Sequence, residues 1–332
     1  MKKIAVLIGS TRQDKVIGDK YFDMLSKLGP VYKYDQPNFA DKEHALEFLA
    51  GADAIVTSWG SPKLTAEFLD VCPDLKVVLH AAGSVKGIVD EEEFKARGIR
   101  LTSSAIALGE GVAETALCLS IAAAKGVFKL AKDTRNGLWA EHKYDYCTDF
   151  YDITVGVISG GFVGRHFIKL LQNFNVDVLL YDPTLSAEQV AALGATKAEL
   201  DEMLSKADVI SVHAPSIPAT EKMLNATNLP LIKDGAVLIN TSRGAVFDEP
   251  ALIEELKKGR FFACLDVTEP EPPTVDNELR YLDNVVLTPH IAGAATNGQR
   301  RIGKHVAEEL ARFMAGERMR TEIDLSQLSK MA

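Results

Sequence analysis

The chain is poor in cysteine, in excess positive charge and in long apolar runs. Its four cysteines stand at 72, 118, 147 and 264, and none forms a CxxC pair. That spacing offers no metal-ligating set and no disulfide framework. Cys72, Cys118 and Cys264 sit in apolar stretches and read as buried thiols. Lys and Arg number 37 against 46 Asp and Glu, a net charge of −9, which disfavours nucleic acid and anionic membranes as partners. It leaves room for an anionic substrate, because a few placed cations suffice to bind one. The apolar run in MKKIAVLIGSTRQDK ends too soon for a signal sequence and reads as a first strand. No later stretch approaches the ~20 apolar residues of a membrane span. No internal repeat and no low-complexity tract is visible. A cytoplasmic protein without nucleic-acid or membrane partners is the expectation.

What is present is the composition of a globular chain: 332 residues, 47% hydrophobic and 25% charged, enough for two domains. In the first hundred residues β-rich runs at 4–8, 31–34, 54–57, 76–79 and 99–102 alternate with helix-like segments at 18–27, 41–50, 64–70 and 90–97. Alternation at this spacing predicts a parallel sheet covered on both faces. One long helix is expected over 111–132, preceded by Gly109 and rich in small residues; a core helix and a subunit interface both fit it. A polar, aromatic-rich connection over 135–152 leads into further strands near 154–159, 177–181, 209–213, 236–240, 263–266 and 285–288. Six such runs imply a second doubly wound sheet, the architecture that binds dinucleotides at its switch point. A last amphipathic helix is expected over 296–315.

The run Gly156-Val-Ile-Ser-Gly-Gly-Phe-Val-Gly164 closes one of these strands and opens a helix. Gly161 and Gly164 fit the second and third glycines of GxGxxG, the one admitting the pyrophosphate to the backbone, the other packing helix on strand. Ser159 stands where the first glycine, which serves the tight turn, is expected. Asp182 ends the following strand, where a carboxylate can accept hydrogen bonds from a ribose diol and repel a 2′-phosphate. NAD is therefore favoured over NADP.

Three loops stand out at strand ends: Asn240-Thr-Ser-Arg-Gly244, Leu265-Asp-Val-Thr-Glu-Pro-Glu271 and Thr288-Pro-His-Ile-Ala-Gly293. Reduction of a 2-keto acid needs a hydride donor, a proton donor for the nascent alkoxide and cations for the carboxylate. His290 suits the proton donor because imidazole titrates near neutrality. A neighbouring carboxylate, Glu271, would orient it, and Arg243 would grip carboxylate and carbonyl oxygens through its fork of donors. Taken singly, Arg243 also fits a turn cap, Glu271 a solvated loop residue and His290 a satisfied core histidine.

With INTSRG (239–244), LDVTEPEP (265–272), TPHIAG (288–293), His213-Ala-Pro, Pro218-Ala-Thr220 and Asp248, the sequence resembles the D-isomer-specific 2-hydroxyacid dehydrogenase family, over nearly its whole length. That resemblance implies two doubly wound α/β domains with parallel sheets: a flavodoxin-like substrate domain, 1–103 plus 296–332, and a Rossmann NAD-binding domain, 104–295. The site would lie in the cleft between them, closing by a hinge. The resemblance further implies hydride transfer between NAD and a small D-2-hydroxy or 2-keto acid by a homodimer. Arg243 would bind the substrate carboxylate and carbonyl, His290 would be the acid/base and Glu271 its partner. Asp266 would hold the nicotinamide carboxamide. Phe162 and Val163 would offer backbone N–H groups to the pyrophosphate, with Asp182 on the ribose. Val112, His213, Ala214, Pro215, Thr220, Thr241, Ser242 and Ala292 would line the cofactor cleft. Gly83, Ser84 and Val85 match the family's glycine turn, whose amides hold the substrate carboxylate. Arg135-Asn-Gly-Leu-Trp139 resembles its R-x-G-x-W without a catalytic role.

The same family includes a transcriptional corepressor, so a non-catalytic NAD(H) sensor is the alternative. Gly9-Ser-Thr-Arg12 faintly resembles flavodoxin-like FMN reductases, a likeness that explains nothing beyond residue 30. Formate dehydrogenase places Gln where Glu271 stands. Relatives acting on phosphorylated substrates often carry Arg after the third strand. Here Ser58-Trp-Gly-Ser-Pro-Lys63 offers only Lys63, and no appended regulatory domain is expected, which disfavours phosphoglycerate. Trp59 reads equally as a pocket wall or as core.

Overall fold

A computed structural model describes residues 1–139, 147–293 and 295–330. The connection expected over 135–152 therefore falls partly outside the described residues, at 140–146. The chain divides into two compact units, Met1–Leu108 with Ala294–Ala332, and Gly109–Gly293.

In the first unit, strands β1 (Ile4–Leu7), β2 (Val31–Lys33), β3 (Ala54–Thr57), β4 (Val77–His80) and β5 (Arg100–Ser103) form a sheet in the order β2-β1-β3-β4-β5, every pair parallel. Strand β1 shows why these runs are apolar throughout. Ala5 and Leu7 face one core, Ile4, Val6 and Ile8 the other, so both faces are buried and period-2 alternation of polarity disappears. Helices α1 (Ser10–Val16), α2 (Asp19–Ser26), α3 (Lys42–Leu49), α4 (Ala66–Asp70) and α5 (Glu91–Arg97) cover those faces. The long helix Gln299–Met314 belongs to this unit and adds Ile302, Val306 and Leu310 to the Ile4 face. Gly303 lets it lie against the backbone after α1, for an added Cβ would stand 2.3 Å from the Ile17 carbonyl oxygen.

Two helices, α6 (Ala105–Ala124) and α7 (Val127–Arg135), replace the single helix expected over 111–132. Gly126, at φ 64, breaks the helix between them. Gly109 lies inside α6 rather than before it. Over 20 residues α6 has a mean hydropathy of 1.5, so one helix is long and apolar enough to cross a membrane, contrary to the sequence expectation. It starts at Ala105, six residues before the expected start at 111. The helix buries Ala113, Ala116, Ser120, Ala123 and Ala124 but leaves Cys118 exposed, as Cys147 is too; only Cys72 and Cys264 are buried.

The second unit carries seven parallel strands: β6 (Tyr151–Ile158), β7 (Asn175–Tyr181), β8 (Thr196–Lys197), β9 (Val209–Val212), β10 (Val237–Asn240), β11 (Phe262–Leu265) and β12 (Val285–Leu287). Their order is β12-β11-β10-β9-β6-β7-β8. The sequence showed six; two-residue β8 is too short for any periodicity. From β6 the chain runs outward through β7 and β8, then returns to β6's other side at β9. This reversal places the switch point at the carboxyl ends of β6 and β9. Helices α8 (Phe162–Leu171), α9 (Ala187–Ala191), α10 (Leu200–Lys206) and α11 (Glu249–Lys257) complete the layers, and the C-terminal helix is α12. Both units are thus doubly wound parallel sheets.

Candidate active site

Ser159, at the switch point, takes φ 79, the left-handed conformation a first glycine would supply. The serine pays this strain in place of glycine, and Gly160 does not absorb it. Gly161 is the N-cap of α8, and an added Cβ there meets nothing nearer than Ser159 Oγ at 3.9 Å, leaving open space over the turn. At Gly164 the same atom would stand 2.0 Å from the Ser159 carbonyl oxygen, so only glycine allows α8 to close on the turn. Phe162, 54% exposed, and Val163 begin α8, whose first-turn N–H groups point out of the helix end.

Asp182 is buried beneath the turn. Its Oδ2 accepts from Gly160 N at 2.8 Å, and its Oδ1 from Thr184 N at 2.8 Å and Thr184 Oγ1 at 2.6 Å. Burial pushes its pKa up, but these bonds and the nearby Arg165 charge outweigh it and hold the carboxyl below its ordinary value. Asp182 therefore binds the glycine turn itself.

Beyond β9 and β10, His213 and Thr241 follow paired residues, Val212 and Asn240. Both are buried, and both His213 Nδ1 and Thr241 Oγ1 lack a hydrogen-bond partner. His213 Nε2 meets Ser211 Oγ at 3.0 Å, and burial lowers the imidazole pKa to about 3, so it stays neutral. An open glycine turn, a helix N-terminus and two orphaned polar atoms along one sheet edge fit a dinucleotide. Of the other expected lining residues, Ala214 and Ala292 are buried, Pro215 half-buried, and Val112 half-buried on α6. Thr220 spends its hydroxyl on its own loop, donating to Pro215 O. Ser242 donates to Asn240 Oδ1 at 2.8 Å, while Asn240 Nδ2 donates to Arg243 O at 3.0 Å. Asn240 thus shapes the Arg243 loop, a role the motif offered but its reading missed.

Asp266 organises the loop after β12. Its Oδ1 accepts from Thr288 Oγ1 at 2.6 Å and Ile291 N at 2.9 Å, its Oδ2 from Ala292 N at 2.8 Å, and its carbonyl from His290 N. Within this loop His290 adopts φ 51. Its Nδ1 lies 2.6 Å from Glu271 Oε1, with the two side chains 44% and 41% exposed. His290 is therefore no core histidine. Arg243 is half-buried and donates through Nη1 to Ser242 O at 2.7 Å. Burial lowers its pKa, and the Glu271 charge opposes that shift, which puts Arg243 and Glu271 in one electrostatic neighbourhood. A cleft of about 440 Å³ opens beside Glu271, Arg280 and His290.

In the first unit, Gly83 and Ser84 lie accessible after β4 and Val85 is buried. His80 lies beneath them: Thr57 Oγ1 meets its Nδ1 at 2.9 Å, and burial lowers its pKa to about 4, against a hydrogen bond that the ring donates to the Ser84 backbone. Trp59 is 38% exposed and so is not core; the Arg12 guanidinium lies 5.9 Å from its ring centroid and donates to its carbonyl. Lys63 pairs with Asp90 at 3.5 Å.

The sequence model for the D-isomer specific 2-hydroxyacid dehydrogenase NAD-binding domain matches residues 117–292. A D-3-phosphoglycerate dehydrogenase of Methanocaldococcus jannaschii is 32% identical over 89% of this chain, which spans 56% of that protein, about half its length. A glyoxylate reductase of Pyrococcus furiosus is 33% identical over 91% of this chain and 91% of its own. The solved structure of an acyclic imino acid reductase in complex with NADPH and D-Arg superposes with TM-score 0.78 at 26% identity, covering 97% of this chain and all of the other. The chain belongs to the D-isomer specific 2-hydroxyacid dehydrogenase family, and its second unit contains that family's NAD-binding domain.

Proposed function

We propose that this protein transfers a hydride between NAD(H) and a small D-2-hydroxy acid or 2-keto acid. The observation that carries the reading is the His290–Glu271 pair at 2.6 Å, on the sheet edge that also bears Arg243 and the glycine turn. Bound NADH supplies the hydride to the keto carbon. His290 Nε2 gives its proton to the carbonyl oxygen, and Glu271 on Nδ1 orients the ring and stabilises the imidazolium before transfer. Arg243 holds the substrate carboxylate and polarises the carbonyl, its partial burial strengthening both contacts. The Gly83–Val85 turn of the first unit, which we assign as substrate domain, offers amides that suit a substrate carboxylate. The last open acceptor site on Asp266 Oδ2 suits the nicotinamide amide.

Several observations support the narrower choices. Asp182 at the ribose position favours NAD over NADP. Lys63 is engaged by Asp90 and Trp59 fills the loop beside it, which favours a small unphosphorylated keto acid. Val127, Leu138 and Trp139, exposed in the segment that follows α6, suit a homodimer contact.

The test is NADH oxidation with a panel containing glyoxylate, hydroxypyruvate, pyruvate and 3-phosphohydroxypyruvate. Turnover of an unphosphorylated member is expected, and His290→Asn should reduce kcat by a factor of about 10³ or more while NADH binding stays within about twofold. Tight NADH binding with no turnover of any member would replace this reading with the NAD(H) sensor.

A further inference from the structure

Glu271 sits on a stretch with no helix or strand between Leu265, the end of β11, and Glu278; at its tip Val275 is 82% exposed. A loop of this kind holds a catalytic geometry only if outside groups satisfy its backbone. Arg280 donates through Nε to Thr274 O at 2.8 Å and through Nη2 to Pro273 O at 2.7 Å, and Tyr281 Oη donates to Val275 O at 2.6 Å. These residues follow the loop in the chain and hold its tip. The two limbs of the loop are joined by one side chain from elsewhere: Glu249 Oε2 accepts from Glu269 N at 3.1 Å, and Glu249 Oε1 from Asn277 Nδ2 at 2.7 Å.

Glu249 opens α11, immediately beyond the turn that follows Arg243. That turn already touches the Glu271 loop backbone to backbone: a Cβ on Gly244 would stand 2.1 Å from the Thr268 carbonyl carbon and 2.6 Å from Glu269 N. The Arg243 segment and the Glu271 loop are thus pressed together at Gly244 and tied at Glu249. Two donors converge on Glu249 from opposite limbs, so the site needs two acceptor oxygens on one group. A glutamine offers one, and turns an N–H towards the other donor. A carboxylate in the first turn of a helix is also favoured by the helix dipole.

We propose that Glu249 is a positioning residue, whose carboxylate clasps both ends of the loop and fixes where Glu271 meets His290 Nδ1, in register with Arg243. This inference rests on the reading of Glu271 and His290 as the acid/base pair. Glu249 acts only through Glu271, which separates it from a general structural role.

A double-mutant cycle with a 2-keto acid substrate tests it, using Glu249→Ala, Glu271→Gln and their combination. The readouts are kcat, KM for the keto acid, the NADH dissociation constant and the melting temperature. Glu249→Ala is expected to lower kcat about tenfold with NADH affinity within about twofold, and to cause no further loss of kcat in the Glu271→Gln background. Glu249→Gln, which keeps one acceptor, should recover part of the loss. Wild-type kcat in Glu249→Ala, or losses that multiply in the double variant, would overturn the proposal. If Glu271→Gln itself keeps wild-type kcat, the acid/base reading fails, and the proposal fails with it; an impaired Glu271→Gln beside an unimpaired Glu249→Ala sinks the proposal alone. Should Glu249→Ala not fold, Asn277→Ala, which frees one limb, enters the same cycle with the same criteria.

Discussion

Asp182, which we propose faces the ribose, is also the acceptor that ties down Gly160 and Thr184. Its replacement by alanine should act twice, weakening NADH binding by loosening the turn and moving the cofactor preference towards NADP by at least about tenfold, since the Arg165 charge is already close by. Dissociation constants for NADH and NADPH measure this, and an unchanged ratio would refute the ribose role. Several single residues were legible in the sequence because chemistry restricts them: His290, Glu271 and Arg243 come together as their types suggested. Others were not. Ser159 in a left-handed conformation is invisible in a sequence, where serine gives no sign of positive φ. Glu249 was missed because a glutamate opening a helix is ordinary, and only the folded chain brings Glu269 and Asn277 to it. Asp266, expected to face the cofactor, turns out to spend three acceptor positions on the His290 loop.

At the scale of elements, the strand–turn–helix of β6 and α8 makes two glycines answer different questions. Gly164→Ala would press a Cβ into the Ser159 carbonyl, so it should lower both the melting temperature and NADH affinity. Gly161→Ala places its Cβ in open space, so it should fold with an unchanged melting temperature and still lose NADH affinity by about tenfold or more. Thermal melts and NADH titrations of both variants check the pair; equal NADH binding by Gly161→Ala and wild type would mean no pyrophosphate approaches there. Buried strands were legible because a parallel sheet covered on both faces forces unbroken apolar runs. Element ends were less so. The α6–α7 break at Gly126 does not show in the sequence, since helix-compatible residues on both sides continue the pattern, and β8 is held by its pairing with β7 rather than by any pattern of its own.

For the whole molecule, each unit buries a neutral histidine, His80 in the first and His213 in the second, with pKa values near 4 and near 3. In the unfolded chain both return to about 6.5, so below that pH the unfolded state takes up protons the folded state refuses. Stability is therefore full above pH 6.5 and declines as pH falls towards 4, with on the order of 3 kcal/mol lost per histidine by pH 4. The melting temperature should drop from pH 7.5 to pH 5, and less steeply in His80→Gln; a melting temperature that rises on acidification would contradict this.

The proposed reaction is direct hydride transfer to the carbon of a keto acid under protonation by His290. NADH carrying deuterium at the transferring C4 position tests it most directly, with mass spectrometry of the product from a turned-over 2-keto acid. One deuterium at C2 of the D-2-hydroxy acid is expected, formed by wild type and lost with His290→Asn. A product without the label, or undiminished labelled product from His290→Asn, would contradict it.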